Sequence, residues 1–145
     1  MSESVVSPPR SAAVVGCGVI GAAWAARLRL RGVDVRVFDP APNAEQLLAS
    51  VTASAVDAWD GLGLPTDRLG SLVMCDSIGA AVEGCEFVQE SVPERLDLKH
   101  DTLSAIDAAI PVGSVVASST SGGSPVMSGT TAATRALPSR VVDTG

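Results

Sequence analysis

A glycine-rich stretch near the start of the chain has the spacing of a phosphate-binding turn. Gly16, Gly18 and Gly21 form the pattern Gly-x-Gly-x-x-Gly between an apolar run at residues 12–15 and an alanine-rich helical pattern. In such a turn the first glycine permits a tight bend, the second lets the backbone approach a pyrophosphate, and the third lets the helix pack on the strand. The pyrophosphate would lie at the helix N-terminus, where free N–H groups and the helix dipole favour an anion. The same pattern also occurs as a structural bend, because small residues cluster wherever a helix packs tightly on a sheet.

An acidic residue further along the chain favours the cofactor interpretation. Asp39 closes a second strand-like run, "VDVRVFD", about twenty positions beyond the turn, where its carboxylate can accept hydrogen bonds from ribose hydroxyls. A carboxylate there repels a 2′-phosphate, so we expect NAD rather than NADP. We expect alternation along the strand to place Arg36 on the face opposite Phe38. Whether Arg36 approaches the ribose, which would admit NADP, stays open.

A charged cluster follows a later strand. The segment "QESVPER" offers Glu90, Glu94 and Arg95, and Lys99 follows one helical turn beyond Arg95. Ligands of open α/β sheets lie beyond the carboxyl ends of the strands, so this cluster could contact one. It could equally be the solvated start of a helix, where acidic residues and Glu–Lys pairs are common.

Hydroxyl groups follow the next strand, in "SSTSGG" at residues 118–123. They could bind a substrate alcohol or a nicotinamide amide, or they could form a simple turn after the strand.

His100 falls within a predicted helix, and we expect it to lie at the surface rather than to act as a base. Cys17 has no basic neighbour and is interpreted as a small filler of the turn, not a nucleophile.

The elements that must position these residues alternate between strands and helices. The predicted strands cover residues 12–15, 33–39, 71–76, 85–90 and 113–119. The predicted helices cover residues 19–31, 43–60 with Asn43 as the cap, 78–82, and 93 or 94 to 109. This alternation predicts an α/β fold of the Rossmann type, a doubly wound parallel sheet with strand order 3-2-1-4-5.

Composition limits the class of protein and its partners. The chain has 145 residues, of which 46% are hydrophobic and 18% charged, as in a globular domain. Residues 1–11 are expected to be a disordered leader. Residues 123–145, with weak periodicity, are expected to be a divergent tail, for which disorder is one alternative. A net charge of −6, with few aromatic residues and no tyrosine, argues against a nucleic-acid partner.

The cysteines and the hydropathy pattern predict the compartment. The three cysteines show no C-x-x-C spacing, so neither a disulfide framework nor a zinc site is expected. The N-terminus lacks the apolar core of a signal peptide, and the chain lacks an apolar run of about twenty residues that could span a membrane. We therefore expect a cytoplasmic protein without a membrane partner.

Together these motifs resemble the NAD-binding domain of the 3-hydroxyacyl-CoA dehydrogenase family. The stretch "VVGCGVIGAAWAARLRLRGVDVRVFDPAP" resembles the family's first βαβ unit, "FVQESVPERLDLK" its segment after the fourth strand, and "ASSTSG" its Ser-x-Thr-Ser turn. "WAAR", "DPAP", "QESVPERLDLK" and "SSTSG" are most similar to the L-carnitine dehydrogenase branch. That branch oxidises the 3-hydroxy group of a small trimethylammonium acid instead of a CoA thioester. The resemblance covers residues 12–122, which we take as the NAD-binding domain.

The resemblance assigns roles to individual residues. It implies that Asp39 binds the adenosine ribose, that Glu94 and Lys99 contact NAD near the nicotinamide ribose, and that Ser121 hydrogen-bonds the reacting oxygen of the substrate. It also implies that the pyrophosphate is bound by the whole turn: Gly16, Cys17, Gly18, Val19, Ile20 and Gly21.

The same resemblance predicts what the chain lacks. In the family, a histidine that takes the hydroxyl proton follows the next strand in a Gly-His-x-Phe-Asn-Pro stretch and pairs with a later glutamate. Here "PSRVVDTG" resembles the lead-in to that stretch and then ends. We expect a truncated or frame-shifted relative without the helical C-terminal domain. It would act on a carnitine-like or 3-hydroxyacyl-CoA substrate only if a C-terminal domain completed it. In this truncated form we do not expect it to form an oligomer. The alternative is a stand-alone NAD-binding or regulatory module without catalysis.

Overall fold

A computed structural model describes residues 9–93, 95–118 and 140–143. Its strands are β1 Ser11–Val15, β2 Asp34–Phe38, β3 Leu72–Met74, β4 Phe87–Glu90, β5 Val115–Ser118 and β6 Arg140–Asp143. Its helices are α1 Val19–Leu30, α2 Ala44–Gly61, α3 Ile78–Val82 and α4 Leu96–Ala109. No helix in these ranges is both long and apolar enough to cross a membrane.

The strands form one parallel sheet in the order β3-β2-β1-β4-β5-β6. The predicted order of the first five strands is confirmed. The order reverses between β1 and β4, whose last residues, Val15 and Glu90, are paired. In a doubly wound sheet this switch point opens the crevice in which ligands bind.

The sixth strand is an addition to the prediction. Residues 140–143 pair in parallel with β5, in register from Arg140 opposite Val115 to Asp143 opposite Ser118. The sheet therefore extends beyond the expected domain boundary at Gly122. A four-residue strand after a stretch without periodicity gives too weak a pattern to be recognised, because pairing with a neighbouring strand decides its conformation.

The central strand β1 explains why the core has two halves. Ala12 and Val14 point to one side, where α1 and α2 pack, and Ala13 and Val15 point to the other, where α3 and α4 pack. All four residues are buried. A strand covered on both faces needs apolar residues at successive positions, which is why residues 12–15 of β1 form a continuous apolar run instead of an alternating one.

Helix ends differ from the prediction by a few residues. Gly32 follows the C-cap Arg31 with a φ of +83°, and its N–H bonds to the Arg29 carbonyl, as predicted for a glycine that ends a helix. Asn43 is the N-cap of α2, but its side chain forms no capping hydrogen bond with the described residues, since its φ of −98° and ψ of 6° are not the extended conformation that capping uses. Helix α4 begins at Leu96, later than predicted.

Candidate functional site

The glycine turn connects β1 to α1 at the switch point of the sheet. Gly16 has a φ of +96°, and a Cβ atom there would lie 2.7 Å from the carbonyl carbon of Ser91. The Gly16 N–H donates to the Phe38 carbonyl at 2.9 Å, and the Ser91 N–H donates to the Val15 carbonyl at 2.8 Å. Only glycine satisfies both the backbone conformation and the close approach of the chain after β4.

The other two glycines have opposite surroundings. A Cβ atom on Gly21 would overlap the carbonyl oxygen of Gly16, so this glycine lets α1 pack against the turn. A Cβ atom on Gly18 would meet nothing within 4 Å. The space beside Gly18 is therefore not filled by the fold, as expected where a backbone must stay accessible to a ligand.

The N-terminus of α1 faces that open space. Gly18 is its N-cap, and among the described residues no side chain caps it and no acidic residue lies in its first turn. Val19 and Ile20, the first two helical residues, are mostly exposed. In a helix of 12 residues, the first backbone N–H groups and the macrodipole then suit an anionic group.

Asp39 joins the turn to the end of β2. Its Oδ2 accepts the backbone N–H of Cys17 at 2.6 Å, and its Oδ1 accepts the backbone N–H of Ala41 at 2.7 Å. These two bonds fix the carboxylate beside the turn. Each carboxylate oxygen has a second lone pair, so both remain able to accept a further hydrogen bond.

Arg36 lies away from this carboxylate. Its guanidinium donates from Nη1 to the Ala80 carbonyl in α3 at 3.1 Å, and Arg36 does not line the cavity formed by the described residues. The expectation that Arg36 and Phe38 occupy opposite faces was wrong, because residues two apart in a strand point the same way. Phe38 accordingly packs in the same half of the core as α3. The possible route by which Arg36 would favour NADP is thereby removed.

A cavity of about 1100 Å³ opens over the turn. This volume is slightly above the range of small-molecule and cofactor sites, roughly 300–1,000 Å³. The residues that line it come from the ends of β1, β2 and β4 and from three helices: Val15, Gly16, Gly18, Val19, Ile20, Trp24, Phe38, Asp39, Pro40, Ala41, Ile78, Ser91, Val92, Pro93, Leu98, Asp101 and Thr102.

Cys17 lies beneath the turn and not in the cavity wall. Its side chain is buried, and burial, reinforced by the nearby charge of Asp39, raises the pKa of its thiol to about 11. A thiol with this pKa stays protonated near neutral pH and is a poor nucleophile. The interpretation of Cys17 as a filler fits this geometry, and its contribution to the site is its backbone N–H.

The charged cluster divides into a buried part and an exposed part. Glu90 is fully buried, and Lys99 lies with its Nζ 3.2 Å from Glu90 Oε2, its side chain only 11% exposed. Arg95 pairs instead with Asp97 at 3.4 Å, and both side chains are exposed. Among the described residues of the cluster, the interpretation as a solvated helix start therefore applies to Arg95 and not to Glu90 or Lys99. His100 is exposed, as predicted.

The predicted site residues are not all brought together. Gly16, Gly18, Val19, Ile20 and Asp39 line the cavity, and Gly21 packs directly behind Gly16. Lys99 is buried in its ion pair and is absent from the described cavity wall. Glu94 and Ser121 lie outside the described residues.

Two kinds of site residue were not predicted. The apolar walls, including Trp24, Phe38 and Ile78, come from residues whose helical or strand pattern is indistinguishable from that of the core. Glu90 was named only as part of a charged cluster. A signal was present, because an acidic residue at the end of a strand predicted for the middle of the sheet must find a partner in the interior.

Comparison with known proteins matches this arrangement to a family. Residues 11–142 match the family model described as "3-hydroxyacyl-CoA dehydrogenase, NAD binding domain". The chain is 50% identical over 112 residues to an L-carnitine dehydrogenase/betainyl-CoA thioesterase of Rhizobium sp., an alignment that covers 77% of this chain and 22% of that protein. It is 47% identical over 137 residues to an L-carnitine dehydrogenase of Streptomyces coelicolor, covering 92% of this chain and 41% of the relative.

A solved structure agrees with these sequence matches. The crystal structure of 5-formyl-3-hydroxy-2-methylpyridine 4-carboxylic acid 5-dehydrogenase, an NAD+-dependent dismutase, superposes with a TM-score of 0.70 at 39% identity. The superposition covers 79% of this chain and 38% of that one. The chain thus spans less than half the length of each of these three proteins.

Proposed function

Because the chain belongs to the 3-hydroxyacyl-CoA dehydrogenase family, as an NAD-binding domain, we propose that it supplies the cofactor site of an oxidoreductase that converts a 3-hydroxy acid to a 3-oxo acid. One observation carries this proposal. The open space at Gly18, the N-terminus of α1 and the oriented carboxylate of Asp39 all face one cavity.

The residues of this cavity suit the parts of NAD. The backbone N–H groups at the start of α1, from Gly18 to Gly21, would bind the pyrophosphate. Asp39 would accept hydrogen bonds from the adenosine ribose hydroxyls, and its charge would disfavour a 2′-phosphate. Glu94 and Lys99 would act near the nicotinamide ribose, and Ser121 would orient the reacting oxygen of the substrate. When bound, NAD accepts the hydride that leaves the carbinol carbon.

We propose a small-molecule substrate of the carnitine type, with a 3-hydroxyacyl-CoA thioester as the other candidate. This proposal is supported by two relatives named L-carnitine dehydrogenases, which are identical to this chain at about half of the aligned residues. We also propose a cytoplasmic protein, since all three cysteines are free thiols, two of them buried.

A chimera tests the proposed activity. The 145-residue chain would replace the matching segment of the S. coelicolor relative, and NADH formation from L-carnitine and from 3-hydroxybutyryl-CoA would be followed by absorbance. We expect turnover of L-carnitine that depends on NAD. A chimera that is folded and binds NAD but oxidises neither substrate would contradict the activity and favour a binding or regulatory module.

A further inference from the structure

A buried carboxylate connects three elements beside the cavity. Glu90, at the end of β4, has no exposed surface. Its Oε1 accepts the Ser118 hydroxyl at 2.6 Å, and its Oε2 accepts the Val92 backbone N–H at 2.8 Å. Lys99 Nζ lies 3.3 Å from Oε1 and 3.2 Å from Oε2. These bonds join the end of β5, the segment after β4 and the second turn of α4.

Stability alone does not account for this arrangement. A buried ion pair gains little over well-packed apolar side chains of similar volume, because the desolvation of two charges offsets most of their attraction. Most other residues buried around β4 are apolar, including Val88, Val116 and Ile106, and the buried polar ones nearby, such as Gln89, are uncharged. The charged pair sits instead at the carboxyl edge of the sheet, where ligands bind.

The segment held by Glu90 is a wall of the cavity. Ser91, Val92 and Pro93 all line it, and Ser91 packs so closely on the turn that Gly16 has no room for a side chain. Asp39, on the opposite side of the turn, is at the end of β2. In a doubly wound sheet each half holds one mononucleotide, so Asp39 marks the adenosine half and the β4–β5 side receives the other half.

We propose that Glu90 is a positioning residue for the nicotinamide half of the cofactor site. It fixes the wall at residues 91–93, the ammonium of Lys99 and the end of β5, three positions before Ser121 in the sequence. Glu90 itself is fully buried and acts through these groups. This inference rests on the NAD site proposed above.

The test compares two ligands that differ at the nicotinamide. Calorimetry with the 145-residue chain would measure affinities for NAD and for ADP-ribose, which lacks the nicotinamide ring. The native chain should bind NAD more tightly. In Glu90→Gln, which removes the charge at constant shape, we expect NAD affinity to fall about tenfold and ADP-ribose affinity to change less than about twofold, since a loosened supporting residue affects only the group it orients.

The outcomes separate this inference from the proposed site. A native chain that binds neither ligand contradicts the NAD site, and the role of Glu90 falls with it. A native chain that binds both equally, or a Glu90→Gln variant that loses affinity for both equally or for neither, contradicts the positioning role alone.

Two further variants keep the test decisive. If Glu90→Gln does not fold, Ser118→Ala removes the hydrogen bond that the Ser118 hydroxyl donates to Glu90 and keeps both charged groups of the ion pair. We then expect a smaller fall in the ratio of NAD affinity to ADP-ribose affinity, and an unchanged ratio contradicts the inference. Asp97→Asn is the matched control, because Asp97 is an exposed carboxylate in the first turn of the same helix. It should leave both affinities unchanged.

Discussion

At the scale of single residues, the carboxylate of Asp39 both holds the glycine turn and lines the cavity. It accepts backbone N–H groups from Cys17 in the glycine turn and from Ala41 after β2, and it also lines the cavity. The intramolecular bonds hold the carboxylate in place before a ligand arrives, so little freedom would be lost on binding. The sequence predicted the position of Asp39, but not its bond to the turn, which depends on how β1 and β2 come together.

We predict that Asp39→Ala weakens NAD binding by about 1–3 kcal/mol, the contribution of hydrogen bonds to a charged group. Calorimetry would measure the change. Asp34→Ala is the control, because Asp34 lies at the opposite end of β2, where it accepts the Ser71 N–H at 3.0 Å. An Asp39→Ala variant with native affinity would contradict the ribose assignment.

Cys17 predicts a pH dependence of stability. Its pKa is raised from 9.0 to about 11 by burial and by the charge of Asp39. The folded chain therefore keeps a proton that the unfolded chain releases, and stability must fall as pH rises through this interval. The contribution is fully present below pH 9 and lost towards pH 11.

Urea unfolding of the native chain and of Cys17→Ala would measure this effect. Between pH 9 and pH 11 the native chain should lose more unfolding free energy than the variant, which has no thiol to ionise at this position. Parallel losses in the two proteins would show that the Cys17 thiol does not titrate as described.

At the scale of elements, different glycines of the turn serve folding and ligand binding. Gly16 and Gly21 are required by close backbone contacts, whereas Gly18 has an ordinary φ of −79° and empty space around it. The motif predicted this division, because it assigns the first and third glycines to the bend and to helix packing and the second to the pyrophosphate. It could not predict that Ser91, which is distant in sequence and adjacent in the sheet, is the neighbour that leaves Gly16 no room for a side chain.

We predict that Gly18→Ala folds normally and binds NAD about tenfold less tightly, a difference of about 1.4 kcal/mol, because the methyl group occupies the path of the pyrophosphate. Thermal unfolding and calorimetry would be measured together. Gly61→Ala is the control, since a methyl group on Gly61 would also meet nothing within 4 Å and this glycine ends α2 away from the cavity. Equal NAD affinity in the two variants would contradict the role of Gly18.

Elements whose local pattern agrees with their packing were predictable. The strands β1, β2 and β4 and the helix α1 fall where the apolar runs and Gly32 indicate. The start of α4 was predicted two or three residues too early. The strand β6 was not located, because Arg140–Asp143 owes its conformation to pairing with its neighbour β5. The buried ion pair of Glu90 with Lys99 was not predicted, because the spacing of residues along a helix does not reveal whether that helix covers the end of a strand.

At the scale of the whole molecule, the order of the sheet determines where chemistry can occur. The reversal between β1 and β4 brings the glycine turn, Asp39 and the wall at residues 91–93 to one cavity. This topology was predictable, since right-handed crossovers leave few ways to connect alternating strands and helices.

The measurement that tests the central claim most directly is a calorimetric titration of the chain with NAD and, in parallel, with NADP. We predict binding of one NAD per chain, and an affinity for NADP lower by about tenfold or more, because Asp39 repels a 2′-phosphate. The absence of binding heat at millimolar NAD, or an equal affinity for NADP, would contradict the account.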